Sequence, residues 1–107
     1  MHTYHGHIYF SANEITLAMQ VRENIAHALP QLTYIGNLIP RPIGPHSKPM
    51  FEIHMPASEI GNITATLDHL RQGLSVLIHP VQANELDAHT KSAQWLGTKL
   101  ALDLSVF

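Results

Sequence analysis

The chain has 107 residues, an apolar content of 45% and a net charge of −2 with histidines neutral. That length and composition favour a single domain, residues 1–107, with a packed core rather than a disordered chain. Six Lys or Arg without a basic run argue against nucleic acid or an anionic membrane as partner, and the absence of cysteine excludes disulfides, thiolate metal sites and cysteine nucleophiles.

No apolar run approaches the ~20 residues of a membrane span. No charged and apolar leader precedes the first patterned segment, so no signal peptide is expected and a cytoplasmic protein is the default. The unusual feature is nine histidines, at positions 2, 5, 7, 27, 46, 54, 69, 79 and 89. They are spread along the chain, unlike an affinity tag, and composition alone does not say whether they are ligands, bases or surface.

The first element is Tyr4-His5-Gly6-His7-Ile8-Tyr9-Phe10. As a strand, with period two, it points His5, His7 and Tyr9 one way and Tyr4, Ile8 and Phe10 the other. The two imidazoles then stand about 7 Å apart, at a rise of about 3.3 Å per residue, which is half of a plausible metal site.

Ser11 with Glu14 three residues later is a capping box, and Leu17, Ala18, Val21, Ile25 and Leu29 recur at helical spacing. The pattern predicts an amphipathic helix of about 17 residues, ended by Pro30. Residues 31–38 read as a second strand. Residues 39–49 hold four prolines and a glycine, so they form a stiff loop that presents His46.

Residues 50–55 predict a third strand, with Phe51, Ile53 and Met55 on one face and Met50, Glu52 and His54 on the other. A second helix begins near Ser58, carries Ile60, Ile63, Leu67 and Leu70 on one stripe, and ends at Gly73. Residues 74–79 form a fourth strand, closed by Pro80. Asp87-Ala88-His89-Thr90 marks the start of a third, short helix carrying Trp95 and Leu96. Residues 101–107 are an edge strand or a docked tail.

The order β-α-β-β-α-β is the ferredoxin-like split βαβ arrangement, an α+β fold. It implies a four-stranded antiparallel sheet of order 4-1-3-2, both helices on one face, plus a C-terminal helix and tail. The helix-free face then displays His5, His7 and Tyr9, flanked by Glu52 and His54 on one side and by Ser75, Leu77 and His79 on the other.

Imidazole and carboxylate without thiolate suit iron(II), zinc, manganese or copper. Two histidines and a carboxylate match the facial triad of non-haem iron oxygenases, and three histidines with water suit zinc. The bland readings are a solvated face, or one buried against a second copy of the chain. His2, His27, His54 and His69 are read as surface residues, and Trp95 as core or interface. Arg41 is either a contact for an anionic substrate group or a solvated loop charge.

Several blocks resemble the DOPA 4,5-dioxygenase family of small fungal and bacterial extradiol type. Tyr4-His5-Gly6-His7-Ile8-Tyr9-Phe10 is similar to its YHxHxYF opening. Pro42-Ile43-Gly44-Pro45-His46 with Met50-Phe51-Glu52-Ile53 resembles its PVGPH and MFEV segments. Leu77-Ile78-His79-Pro80 resembles LVHP, and Asp87-Ala88-His89-Thr90 with Ala93-Gln94-Trp95-Leu96-Gly97 resembles its DHT and WLG blocks. The last block departs by one residue, Ala88, between Asp87 and His89.

The resemblance implies extradiol cleavage of a catechol such as DOPA by a non-haem iron(II) centre and molecular oxygen. Carried onto this sequence, it implies metal ligands among His5, His7, Glu52 and His79 and catalytic acid–base roles for His46 and His89. Substrate contacts are expected from Arg41 and Tyr9. Iron(II) is the expected cofactor, with zinc or another divalent metal as alternatives, and a homodimer is expected by analogy with similar small domains. Two other readings stay open: a metal or small-molecule binding module without turnover, and a structural dimer with a histidine-rich interface.

Overall fold

The computed structural model describes residues 3–107; His2, expected at the surface, lies outside them. Strand β1, Thr3–Tyr9, leads through a single 3-10 turn, Ala12–Glu14, into helix α1, Ile15–Ala28. The capping box holds this junction: the Ser11 N–H donates to Glu14 Oε1 at 2.8 Å. The helix ends before Pro30, which cannot continue it. Strand β2 is short, Tyr34–Ile35, and the proline-rich segment leads to β3, Met50–Pro56. A second 3-10 turn opens α2, Ile60–Leu70, and β4 is Val76–Pro80.

The sheet order is β2-β3-β1-β4 with one further strand, β5, Gln94–Leu96, on the outer edge of β4. All pairings are antiparallel. The expected order 4-1-3-2 is present, but the sheet has five strands rather than four. The added strand replaces the expected helix around Trp95 and Leu96. Its residues pair with β4, Leu96 opposite Val76 and Trp95 opposite Leu77, which satisfies backbone groups that β4 would otherwise leave open at a sheet edge. The third helix, α3, is Glu85–His89. It starts earlier than the Asp87 signal suggests, because Asn84 caps it by accepting a hydrogen bond from the Asp87 N–H at 2.9 Å.

The helix side of the sheet buries Ile8, Phe10, Phe51, Ile53, Met55, Val76 and Ile78 against Ala18, Val21, Ile25, Ile63 and Leu67. The opposite face departs from expectation: it is not left open. Tyr9, Met50 and Leu77 are buried there, under Ile39, Ala93, Trp95, Leu100 and Leu102. The chain's own C-terminal segment covers that part of the face, so a second copy is not needed to do so. The tail is tied down where the Asp103 N–H donates to the Pro45 carbonyl at 2.8 Å. Among the described residues, no helix is long and apolar enough to cross a membrane.

Register fixes what meets on the second face. His5 lies opposite His54 on β3 and His79 on β4, and His7 lies opposite Glu52 and Leu77. Gly6, between the two histidines, points toward the helices, where an added Cβ would stand 2.9 Å from Ile53 Cγ1 and 3.1 Å from Met55 Cε. That central strand therefore needs glycine for space, not for backbone conformation. Gly6→Val should overpack the core and lower stability by about 1–3 kcal/mol, measured by urea unfolding; an unchanged midpoint would show that Ile53 and Met55 move aside at no cost.

Candidate functional site

The second face of the sheet gathers imidazoles from four parts of the chain. His7 comes from the middle of β1 and His79 from β4. His46 comes from the proline-rich loop, where Gly44 takes the positive φ of 57° that the turn requires and the His46 N–H closes back on the Ile43 carbonyl at 3.0 Å. His89 is the last residue of α3. These four are only 3%, 7%, 4% and 7% exposed for His7, His46, His79 and His89, in a class of side chain that is seldom so buried without a reason.

Their rings are in mutual reach. The His7 and His46 centroids are 4.1 Å apart, as are those of His79 and His89, and His7 Nε2 lies 3.0 Å from His79 Nε2. For His7, His46 and His79 burial is the first cause that lowers the pKa, and repulsion from neighbouring imidazoles adds to it; at His79 the hydrogen bond to the Pro80 carbonyl works the other way. His7 falls well below the ordinary histidine value, and His46 and His79 fall to about 4. All three are therefore neutral at pH 7.

Hydrogen bonds set where the remaining protons sit. His79 Nδ1 donates to the Pro80 carbonyl at 3.0 Å, and His89 Nδ1 donates to the Glu85 carbonyl at 2.8 Å. A carbonyl only accepts, so both rings carry a proton on Nδ1 and turn Nε2 toward the cavity, and in neutral His79 that Nε2 is a lone pair. Tyr9 is buried beneath His46, with its hydroxyl 2.7 Å from His46 Nδ1. Burial raises the Tyr9 pKa, so the phenol keeps its proton, and because His46 Nδ1 is the one hydrogen-bond partner of this buried hydroxyl, the proton is donated there. Neutral His46 then has its own proton on Nε2 and acts as a hydrogen-bond donor.

The expected site residues separate into groups. His5, His7, His46, Glu52, His79 and His89 all line one cavity of about 420 Å³, together with Glu85 and the tail residue Phe107. Within it, His7, His79 and His89 can direct one nitrogen each to a common point, the ligand atoms lying within 4.8 Å of one another. His5 and Glu52 instead group with His54. The four expected ligands therefore do not form a single set, and His89, expected as an acid–base residue, takes a place among the converging imidazoles.

Tyr9 does not line the cavity but supports His46 from below. Arg41 is exposed in the loop and is absent from the cavity wall. His27 and His69 are exposed on the helices, as the surface reading expects.

Two participants were not singled out by sequence. His54 is half-buried: its Nε2 lies 2.5 Å from Glu52 Oε2, and its ring stacks on His5 at 3.9 Å. Its spacing of two from Glu52 already placed both on the His5 face, but nothing in the sequence showed that it would meet the Glu52 carboxylate, and it was read as a surface residue. Phe107 packs its ring 4.7 Å from His89; nothing in the pattern of the tail indicated which face it crosses.

Nitrogen donors fit a divalent transition metal. His79 and His89 already have the tautomer in which Nδ1 is anchored and Nε2 is available, the arrangement that orients histidine ligands. His7 Nδ1 is buried without a hydrogen-bond partner, whereas its Nε2 has one in His79 Nε2.

Comparison with known proteins gives the family of the chain. Residues 4–106 match the Dopa 4,5-dioxygenase family. The chain is 28% identical over 109 residues to a DOPA 4,5-dioxygenase of Amanita muscaria, covering 95% of this chain and 48% of that protein. It is 35% identical over 116 residues to an uncharacterised 21.2 kDa protein of Botryotinia fuckeliana, covering 99% of this chain and 61% of that one. The chain thus spans between about half and three-fifths of these curated relatives. A crystal structure from Nostoc punctiforme, of a protein provisionally designated a dioxygenase, superposes with a TM-score of 0.90 at 30% identity, over 99% of this chain and 90% of that one. The match across nearly the whole chain places this protein in the Dopa 4,5-dioxygenase family.

Proposed function

We propose that this chain is an extradiol ring-cleaving dioxygenase that opens a catechol such as DOPA with molecular oxygen at a non-haem iron(II) centre. The observation that carries the reading is the convergence of three buried imidazoles, His7, His79 and His89, on one wall of a cavity of about 420 Å³. These three would hold the metal. Bound there, iron(II) would supply the Lewis acidity that lowers the pKa of the catechol hydroxyls and the electrons that make dioxygen reactive.

The remaining residues have roles that follow from their hydrogen bonds. The low pKa of His7 and His79 keeps their lone pairs available at neutral pH. His46, with Nδ1 occupied by the Tyr9 hydroxyl, serves as a hydrogen-bond donor to a ligand oxygen rather than as a base. Val81, Val106 and Phe107 add apolar wall that suits an aromatic ring and limits water. The Amanita muscaria relative supports DOPA as the first catechol to try.

Anaerobic iron(II) loading followed by oxygen and a catechol panel should give yellow ring-cleavage products. Oxygen left unconsumed with every catechol would leave the protein a binding module and end the dioxygenase reading. His7→Ala should abolish metal binding, scored by metal content after desalting; a variant that retained one equivalent of iron would rule out His7 as a ligand. Tyr9→Phe should keep the metal but lower catechol turnover roughly tenfold, in line with the loss of one net hydrogen bond of about 1–1.5 kcal/mol.

Acid should weaken the metal-free fold. His46 and His79 titrate near 4 in the fold and near 6.5 in an unfolded chain, about the ordinary value. Between those values the unfolded chain binds more protons, so stability falls as pH drops through the window from about 6.5 to about 4. Urea midpoints of chelator-treated protein should decline across that window and stay level above it; a midpoint that rose on acidification would contradict the buried neutral state.

A further inference from the structure

The outward nitrogens of the three converging rings are not equally provided for. His79 and His89 each anchor Nδ1 on a backbone carbonyl. His7 Nδ1 is buried and has no hydrogen-bond partner, and the Glu52 Oε1 atom stands 3.7 Å from it. On the other side of the ring, His7 Nε2 faces His79 Nε2 at 3.0 Å. Two lone pairs do not face each other at that distance, and the His79 Nε2 is a lone pair. The proton of neutral His7 is therefore on Nε2.

A metal bound through His7 Nε2 cannot share that nitrogen with a proton. A neutral imidazole ligated through Nε2 carries its hydrogen on Nδ1. The ring loses one proton and takes up another, so its charge does not change, and the new N–H points toward Glu52. We propose that Glu52 is the positioning residue of the metal centre: its Oε1 accepts the Nδ1 proton of metal-bound His7 and does for that ring what the Pro80 and Glu85 carbonyls do for the other two. This inference rests on the metal reading above and assigns Glu52 outside the ligand set.

The neighbours of Glu52 fit that role. Its Oε2 is held by His54 Nε2 at 2.5 Å and lies 4.0 Å from His5 Nδ1. This leaves Oε1 as the oxygen directed at His7. His5, Glu52 and His54 are themselves a group of ligand-type side chains, but the two imidazoles stack at 3.9 Å with planes only 10° apart. Ring lone pairs lie in the ring plane, and nearly parallel planes so stacked do not meet at a common metal. The stack instead braces the carboxylate.

Cobalt(II) titration of the full chain, followed by absorption, tests this. Wild type should bind one equivalent. Glu52→Ala should weaken binding about 10- to 100-fold, the usual effect of removing an outer hydrogen-bond partner from a metal-bound histidine. Glu52→Gln, which keeps shape and one acceptor oxygen, should fall between the two and covers the case in which the alanine variant does not fold. At saturation the cobalt spectrum of Glu52→Gln should match wild type, and nitrogen NMR of the zinc-loaded protein should put the His7 proton on Nδ1. Affinities within twofold of wild type in both variants would overturn the role of Glu52 while leaving the metal centre intact. An altered spectrum in Glu52→Gln would make Glu52 a ligand instead. Failure of wild type to bind cobalt would overturn the metal reading, and this inference with it.

Discussion

Imidazoles taken out of water need a partner for each nitrogen, and this requirement organises the second face of the sheet. Strand β1 lies in the middle of five strands and is covered on both sides. On the helix side its contribution is apolar and needs only volume. On the other side it contributes His5, His7 and Tyr9, and burial of an unpaired polar group costs about 1–3 kcal/mol. Partners therefore come from outside the strand: the His79 ring from β4, His46 from the loop for Tyr9, and the Glu52 carboxylate, which stops short of His7. The one buried side-chain nitrogen found without a hydrogen-bond partner among the described residues, His7 Nδ1, is at the centre of the group.

The same constraint explains why the site is assembled from rigid parts. His7 and His79 are 72 positions apart in sequence yet meet edge to edge, because antiparallel pairing of β1 with β4 brings them to diagonal positions on one face. His46 sits in a segment whose prolines limit its freedom. His89 closes a short helix whose own carbonyl holds its ring. Little ordering remains to be done when a ligand arrives, which suits a centre that must keep several donors aimed at one point. The tail completes the enclosure by laying Phe107 over His89.

Much of this arrangement was legible before folding. The alternation in residues 4–10 separates imidazoles from core residues, and the Ser11–Glu14 box marks where α1 begins. The order of elements then implies which strands flank β1, and the register follows. What was not legible depends on long-range pairing. Trp95 and Leu96 read as helix because nothing local reveals that β4 has an edge to fill; there, tertiary pairing overrides local pattern. His54 read as surface because its value comes from Glu52 and His5, not from its own surroundings in sequence. Arg41 read as either a substrate contact or a solvated loop charge, because charge alone does not choose, and the loop leaves it exposed away from the cavity wall.

The sequence by itself determined the residue chemistry: nitrogen and carboxylate donors without thiolate, a β1 strand with its histidines on one face, and the family blocks that run from residue 4 to residue 97. Those properties are local, set by side-chain type and by the period of a strand. Only the tertiary structure decided which histidines come within reach of a common point, which ring nitrogens meet a backbone carbonyl, and that Tyr9 lies against His46. Ring orientation and tautomer depend on distances of a few ångströms between residues far apart in the chain, and only the packed sheet with its covering tail sets those distances.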